Sequence, residues 1–137
     1  MAHDDKRLFG LEGRRLLVVE TDARCAAAVS QWLEICGARV ATAATLGAAV
    51  SEARHHVPDV MLVDVTLADG DDWDIVERLR ESVPGGSHMP VVAMTGTGGS
   101  AVGREARAHG IRHVVTRPIA PAALGAALHA CLRPHAA

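Results

Sequence analysis

The chain has 137 residues, of which 49% are apolar and 22% are charged, and its formal net charge is -2. This length suits one domain with its own core and is too short for a second domain and a linker. A weakly acidic chain has no basic field for nucleic acid or an anionic membrane, and no apolar run approaches the roughly 20 residues of a membrane span. We expect a cytoplasmic protein that binds neither nucleic acid directly nor a membrane.

The cysteines and histidines do not have the spacing of metal or redox sites. Cys25, Cys36 and Cys131 are odd in number and form no CxxC pair, which argues against a disulfide framework and a zinc site. The eight histidines are scattered and contain no pattern such as HExxH. We therefore predict thiols that serve packing, and histidines on the surface.

Residues 1–13 carry charges and glycines without a sustained period, which predicts a flexible entry segment before a domain over residues 14–133. In that domain short apolar runs alternate with helical patterns five times. This alternation predicts an α/β fold of five strand–helix units around a parallel sheet.

Helix boundary signals accompany the first units. Gly37 suits the left-handed conformation that ends a helix, and Thr45 suits the cap that begins one. Pro121 is similarly suited to open the last helix. The predicted strands cover about residues 16–19, 38–43, 60–64, 90–95 and 113–116, and the clearer helices 23–36, 45–56, 72–82 and 121–132.

Polar residues stand where four of the apolar runs end. Glu20 follows the first run, Asp64 closes the third, Thr95 closes the fourth and Arg117 follows the fifth. In open parallel sheets the working crevice lies outside the carboxyl ends of the strands. The sequence therefore predicts that these four side chains form one site.

This set of groups suits phosphoryl transfer. Two carboxylates are hard oxygen ligands of the kind that Mg²⁺ prefers, and a carboxylate such as Asp64 can accept a phosphoryl group as a nucleophile. Arg117 and the metal would neutralise the phosphoryl oxygens, and Thr95 could hydrogen-bond one of them. The alternative is that these groups are strand-end caps and ion pairs.

Five segments carry a resemblance to a known family. They are the acid-ended strand Leu16–Glu20, the strand Pro58–Asp64, the loop Leu67–Trp73, the strand Val91–Thr95 and the motif Thr116–Pro118. Over about residues 14–133 the sequence resembles the response-regulator receiver domain of bacterial two-component signalling. The resemblance covers both single-domain regulators and receivers of hybrid histidine kinases.

The resemblance implies a flavodoxin-like (βα)5 fold, with a doubly wound five-stranded parallel sheet in the order 2-1-3-4-5, two helices on one face and three on the other. It implies that Asp64 is the phosphoacceptor, Glu20 a metal-site acid, the backbone carbonyl of Thr66 a metal ligand and Thr95 the switch hydroxyl, with Arg117 in the place of a lysine. The implied partners are a histidine kinase or histidine phosphotransfer protein and a downstream protein target. Whether the domain forms a homodimer is left open.

The chain departs from the family pattern around this site. Thr21 stands where the family has a second acid, and Asp22, one position later, is better suited to cap a helix. Either Thr21 or Asp22 remains as an alternative further metal ligand, and the missing charge predicts a weaker Mg²⁺ site. Val114 occupies the place of an aromatic residue that moves with the switch hydroxyl.

Two functional hypotheses follow. The first is a phosphoacceptor signalling domain, not an enzyme, that receives phosphoryl on Asp64 and switches a protein-docking face. The alternative is a phosphorylation-independent, receiver-like interaction module with a degenerate metal and phosphate site. A phosphatase of the DxD type is not supported, since Thr66 stands where the second aspartate would be.

Overall fold

The computed structural model describes residues 9–66, 73–96 and 100–133 of the chain. The five strands in these residues are β1 (Arg15–Val19), β2 (Arg39–Ala43), β3 (Val60–Asp64), β4 (Val91–Thr95) and β5 (His113–Thr116). They form one parallel sheet in the order β2-β1-β3-β4-β5. The predicted (βα)5 architecture and strand order are confirmed.

Five helices in the described residues follow the five strands in turn, and a short 3₁₀ turn, Gly86–His88, precedes β4. Asp22 Oδ1 caps the first helix by accepting hydrogen bonds from the N–H groups of Arg24 and Cys25 at 2.9 and 3.2 Å. Thr45 Oγ1 caps the second in the same way. The helices are α1 (Ala23–Ile35), α2 (Leu46–His55), α3 (Asp74–Ser82), α4 (Ser100–Ala108) and α5 (Pro121–Leu132).

The helices cover both faces of the sheet, which explains why β3 and β4 are buried along their whole length. On one face, Leu33 of α1 packs with Leu124 and Leu128 of α5 in one apolar cluster. On the other face, Ala49 of α2, Leu79 of α3 and Ala106 of α4 belong to a second cluster. The predicted division into two helices and three helices is confirmed.

Residues upstream of β1 also pack against this fold. Leu11 is fully buried, and the ring of Phe9 lies 5.8 Å from that of Trp32 on α1. The N–H group of Gly13 donates a 2.8 Å hydrogen bond to the carbonyl of Gly37. The side chains of Phe9 and Leu11 pack in the apolar cluster that α1 and α5 form. The packed structure therefore extends upstream of residue 14, where the sequence predicts the domain to begin.

Two stretches that enter the predictions lie outside the described residues. They are the first eight residues of the entry segment and residues 67–72 of the loop that follows β3. Within residues 9–66, 73–96 and 100–133, no helix has the length and apolar character needed to cross a membrane.

Gly86 allows the 3₁₀ turn to pack on the end of α3. A Cβ atom at Gly86 would lie 1.8 Å from the carbonyl oxygen of Arg80, whereas a Cβ at Gly47 in α2 would meet nothing within 4 Å.

We expect Gly86→Ala to lower the free energy of unfolding by about 2–3 kcal/mol, since the backbone of the turn or of α3 has to move. Gly47→Ala should leave it unchanged or raise it by about 0.5 kcal/mol. Urea unfolding of both variants tests this, and equal midpoints would contradict it.

Candidate functional site

The sheet brings the predicted polar residues to one edge. Glu20 directly follows β1, Asp64 ends β3 beside Met94 of β4, Thr95 ends β4, and Arg117 directly follows β5. The N–H group of Arg117 donates a 2.9 Å hydrogen bond to the carbonyl of Thr95, which continues the parallel ladder by one residue. The carboxyl ends of four strands therefore meet where the sequence predicts a site.

The guanidinium of Arg117 bridges the two carboxylates. Its Nη2 lies 2.5 Å from Glu20 Oε1 and 3.0 Å from Asp64 Oδ2, and its Nη1 lies 3.3 Å from Asp64 Oδ1. The two acid side chains are only 1% and 4% exposed, and that of Arg117 is 27% exposed. One cation thus contacts both buried acids, and the planar fork of arginine meets the two oxygens of Asp64 with two nitrogens, which the compact ammonium of lysine cannot do.

Thr66 holds one oxygen of Asp64. Its N–H group donates a 2.9 Å hydrogen bond to Asp64 Oδ1, and its hydroxyl donates to the same oxygen. Asp64 Oδ1 therefore has three donors, counting Arg117 Nη1, whereas Oδ2 has the guanidinium alone among the described residues. The sequence interpretation named only the backbone carbonyl of Thr66, although an aspartate followed two residues later by a donor is a known local turn pattern.

The electrostatics make Asp64 the ionised member of the acid pair. Burial by itself opposes its negative charge, but the interaction with Glu20 and the hydrogen bonds donated by Thr66 and Arg117 hold the pKa of Asp64 below its ordinary value. Burial, followed by the nearby Asp64 carboxylate, raises the pKa of Glu20. The hydrogen bonds and charges of the two acids outweigh burial and raise the pKa of Arg117. The carboxylate best suited to act as a nucleophile is therefore Asp64.

The residues beside Glu20 differ in what they could offer a metal. Glu20 Oε2 is buried and accepts no hydrogen bond from the described residues, which is the condition of a ligand atom that awaits a cation. Asp22 uses one carboxylate oxygen to cap α1, and Thr21 is exposed. The acids Glu20 and Asp64 thus fit a Mg²⁺ site with fewer charged ligands than two adjacent acids would supply.

Comparison with known proteins identifies the family. The family model described as "Response regulator receiver domain" matches residues 16–129. This chain belongs to that family. The resemblance carried by the strand-end motifs is confirmed, and with it a place in two-component signalling, whose receiver domains interact with histidine kinases or phosphotransfer proteins.

Two curated relatives and a solved structure are similar to this receiver domain. It is 35% identical over 80 residues to the probable transcriptional regulatory protein TcrX of Mycobacterium tuberculosis, covering 58% of this chain and 33% of TcrX. It is 28% identical over 101 residues to the luminescence regulatory protein LuxO of Vibrio campbellii, covering 74% of this chain and 22% of LuxO. The chain therefore spans less than two thirds of the length of either relative.

The solved structure is that of the chemotaxis protein CheY4 of Vibrio cholerae. It superposes with a TM-score of 0.78 at 23% sequence identity, over 88% of this chain and 99% of CheY4. At this level of identity the likeness concerns the fold alone. It agrees with the strand order and the helix layers of this receiver domain.

Thr95 ends the strand beside Asp64, and Cys25 lies beside Glu20. Thr95 is fully buried at the end of β4, next to the residue that pairs with Asp64. Burial, followed by the neighbouring Glu20 carboxylate, raises the pKa of the Cys25 thiol, so this side chain adds no negative charge to the site. The sequence analysis assigned the Cys25 thiol to packing and missed its position beside Glu20, for which the sequence has no local signal.

A separate group of potential ligands lies away from this site. Asp74, Glu77 and His109 bring one donor atom each within 4.8 Å of one another. His109 Nδ1 is already hydrogen-bonded to Glu77 Oε1 at 2.9 Å, and the ring of His109 stacks on Trp73 with centroids 6.2 Å apart. These contacts join the start of α3 to the end of α4, and we assign them a structural role.

Proposed function

We propose that this receiver domain accepts a phosphoryl group on Asp64 from a phosphohistidine of a histidine kinase or histidine phosphotransfer protein. The observation that supports the proposal most is the state of Asp64. Its carboxylate is buried at the end of a central strand, and its pKa is held below the ordinary value by donors that outweigh burial. A buried acid that stays ionised is available as a nucleophile at neutral pH.

The contacts of Asp64 favour Oδ2 as the attacking oxygen. Oδ1 is fixed by both donors of Thr66, whereas Oδ2 is held only by Arg117 Nη2 among the described residues. In the transfer an Oδ2–P bond forms while the N–P bond of the phosphohistidine breaks. The imidazole nitrogen leaves with the bonding electron pair and takes a proton, so the donor returns as histidine.

Arg117 would link this transfer to a conformational change. Before transfer its guanidinium is shared between Glu20 and Asp64, and afterwards the phosphoryl oxygens would compete for it. Its N–H group is bonded to the carbonyl of Thr95, whose hydroxyl we assign to a phosphoryl oxygen in the modified state. Movement of this pair would alter the surface around α4 and α5, on which a downstream protein target docks.

The same acids would hold Mg²⁺. We assign the ligands to Glu20 Oε2, the carboxylate of Asp64 and the backbone carbonyl of Thr66. When bound, the ion supplies positive charge to the transferring phosphoryl group. The guanidinium of Arg117 already contacts both carboxylates. Binding of Mg²⁺ would therefore require Arg117 to release one of these two contacts. This competition supports weak Mg²⁺ binding.

Intact-mass analysis after incubation with acetyl phosphate, with and without Mg²⁺, tests the proposal. We expect one phosphoryl adduct that depends on Mg²⁺. If the folded protein forms no adduct with acetyl phosphate or with a phosphorylated histidine phosphotransfer protein, the proposal fails. The site would then be an ion pair within a phosphorylation-independent docking module.

Addition of a carboxylate beside Glu20 should strengthen Mg²⁺ binding. Thr21 is exposed, so Thr21→Asp adds a charged ligand without a folding cost, and we expect the Kd for Mg²⁺ to fall about tenfold. Ser51→Asp on α2 adds the same charge at another exposed position and should leave the Kd unchanged. Calorimetric titration with MgCl₂ measures both, and an equal response of the two variants would contradict the assigned metal site.

A further inference from the structure

A cationic cleft lies at the end of the sheet opposite to Asp64. It has a volume of about 920 Å³ and is bordered by the amino ends of β4 and β5, the 3₁₀ turn and the last turn of α5. Strands of five residues separate it from the phosphoacceptor edge by about 13 Å. Its basic residues are Arg80, His88, Arg112, His113 and Arg133.

The cleft contains no acidic residue among the described residues that line it. Arg112 and Arg133 are both exposed, and neither forms an ion pair with any residue in the described parts of the chain. Two unneutralised guanidinium groups at the rim of one concave surface focus a positive potential there. The positive charge of the cleft is thus opposite in sign to the net charge of the whole chain, which is -2.

Arg80 makes the inner wall of the cleft rigid. Its Nη1 and Nη2 atoms donate to the carbonyls of His109 and Met89 at 3.3 and 3.2 Å. Its Nε atom is buried and has no hydrogen-bond partner among the described residues. The carboxylate that acts on it most, Glu77, is already bonded to His109. The guanidinium therefore adds positive charge at a fixed position without being a mobile ligand-binding arm.

His113 and Cys131 remain neutral at physiological pH. Burial, and then the neighbouring Arg112 charge, lowers the pKa of His113, so its imidazole is neutral and can donate or accept one hydrogen bond. Burial raises the pKa of Cys131 to about 11, which keeps its thiol protonated. With Met89 and Val91 these side chains form a wall against which a flat, weakly polar ring could pack.

We propose that this cleft binds a phosphorylated small molecule of nucleotide size. Its phosphate groups would be held by Arg112 and Arg133, and its ring would lie against Met89, Val91 and Cys131. Arginine provides the paired donors that match phosphate oxygens. The volume falls within the range of roughly 300–1,000 Å³ that is usual for small-molecule sites. The site is separate from the phosphoacceptor, so this inference does not depend on the function proposed for Asp64.

Calorimetric titration of the full chain with ADP tests the inference, with adenosine as the unphosphorylated comparison. We expect saturable one-site binding of ADP, no binding of adenosine, and a Kd that rises about tenfold in Arg112→Gln and in Arg133→Gln, since each removes a charge-assisted contact. Arg39→Gln is the matched control, because Arg39 is an exposed arginine at the same end of the sheet on the opposite edge. It should leave the Kd unchanged, as should Asp64→Asn.

Several results would overturn the inference. They are an absence of saturable ADP binding, equal binding of adenosine, an equal loss in Arg39→Gln, or insensitivity to both cleft variants. Tighter binding of a short oligonucleotide that displaces ADP and is weakened by the same two substitutions would assign the cleft to nucleic acid instead. Both arginine side chains are exposed, so the variants should fold, and thermal unfolding verifies this.

Discussion

Asp64→Asn should abolish phosphoryl uptake from acetyl phosphate and from a phosphohistidine donor. The asparagine side chain has nearly the same shape and can still accept the hydrogen bonds of Thr66 and Arg117, but its neutral amide oxygen is not a nucleophile. The substitution therefore removes the chemistry and leaves the packing in place. Intact-mass analysis at a donor concentration that fully modifies the wild-type protein measures the effect.

The matched control is an aspartate at the opposite end of β3 from Asp64. Asp59 directly precedes β3, and its Oδ2 accepts a 2.8 Å hydrogen bond from the N–H group of Arg15. Asp59→Asn changes the same residue type and keeps an acceptor at that position, so we expect wild-type phosphorylation. A full phosphoryl adduct on Asp64→Asn, or loss of the adduct in Asp59→Asn alone, would show that Asp64 is not the phosphoacceptor.

Arg117→Ala should destabilise the domain and strengthen its affinity for Mg²⁺. The substitution leaves the carboxylates of Glu20 and Asp64, which are 1% and 4% exposed, buried together without their shared cation. Loss of one partner from a buried ion pair costs about 3 kcal/mol. Urea unfolding without Mg²⁺ should show this loss, and added MgCl₂ should recover much of it because the ion can replace the guanidinium charge.

Two further variants separate the charge of Arg117 from its shape. Arg117→Lys keeps the cation but loses the paired contacts of the planar fork with the two oxygens of Asp64, so we expect an intermediate loss of stability. Arg107→Ala removes an exposed arginine from α4 and should change the free energy of unfolding by less than about 0.5 kcal/mol. A wild-type stability of Arg117→Ala in the absence of Mg²⁺ would contradict the bridging role.

The cationic cleft and the acid site use opposite ends of the same strands. β4 and β5 begin at Val91 and His113 in the cleft, and they end at Thr95 and Thr116 beside the acid site. The phosphate chemistry differs at the two ends. Nucleophilic capture needs carboxylates and a cation, whereas reversible binding needs only uncompensated arginines and a surface for the ring. ADP titration and phosphorylation of Asp64 can therefore be measured independently.

Much of the fold could be predicted from the sequence because its signals are local. Alternation of apolar runs with helical periods predicted the five strand–helix units, and the caps at Asp22 and Thr45 depend on side chains that reach the next turn of backbone. Glu20, Asp64, Thr95 and Arg117 were candidates for the same reason, since each directly ends or follows an apolar run. A parallel sheet then requires them to share an edge.

The amino-acid pattern by itself thus determined the family, the layers and the identity of the strand-end residues. Only the tertiary structure decided how those residues pair. Arg117 bonds to Asp64 and Glu20 across 53 and 97 positions of chain. That pairing leaves the other Glu20 oxygen without a hydrogen-bond partner among the described residues. The cleft likewise brings Arg80 of α3 together with Arg112, which precedes β5, and Arg133, which follows α5. Such contacts depend on strand order and on the direction of each side chain, which local periodicity does not encode.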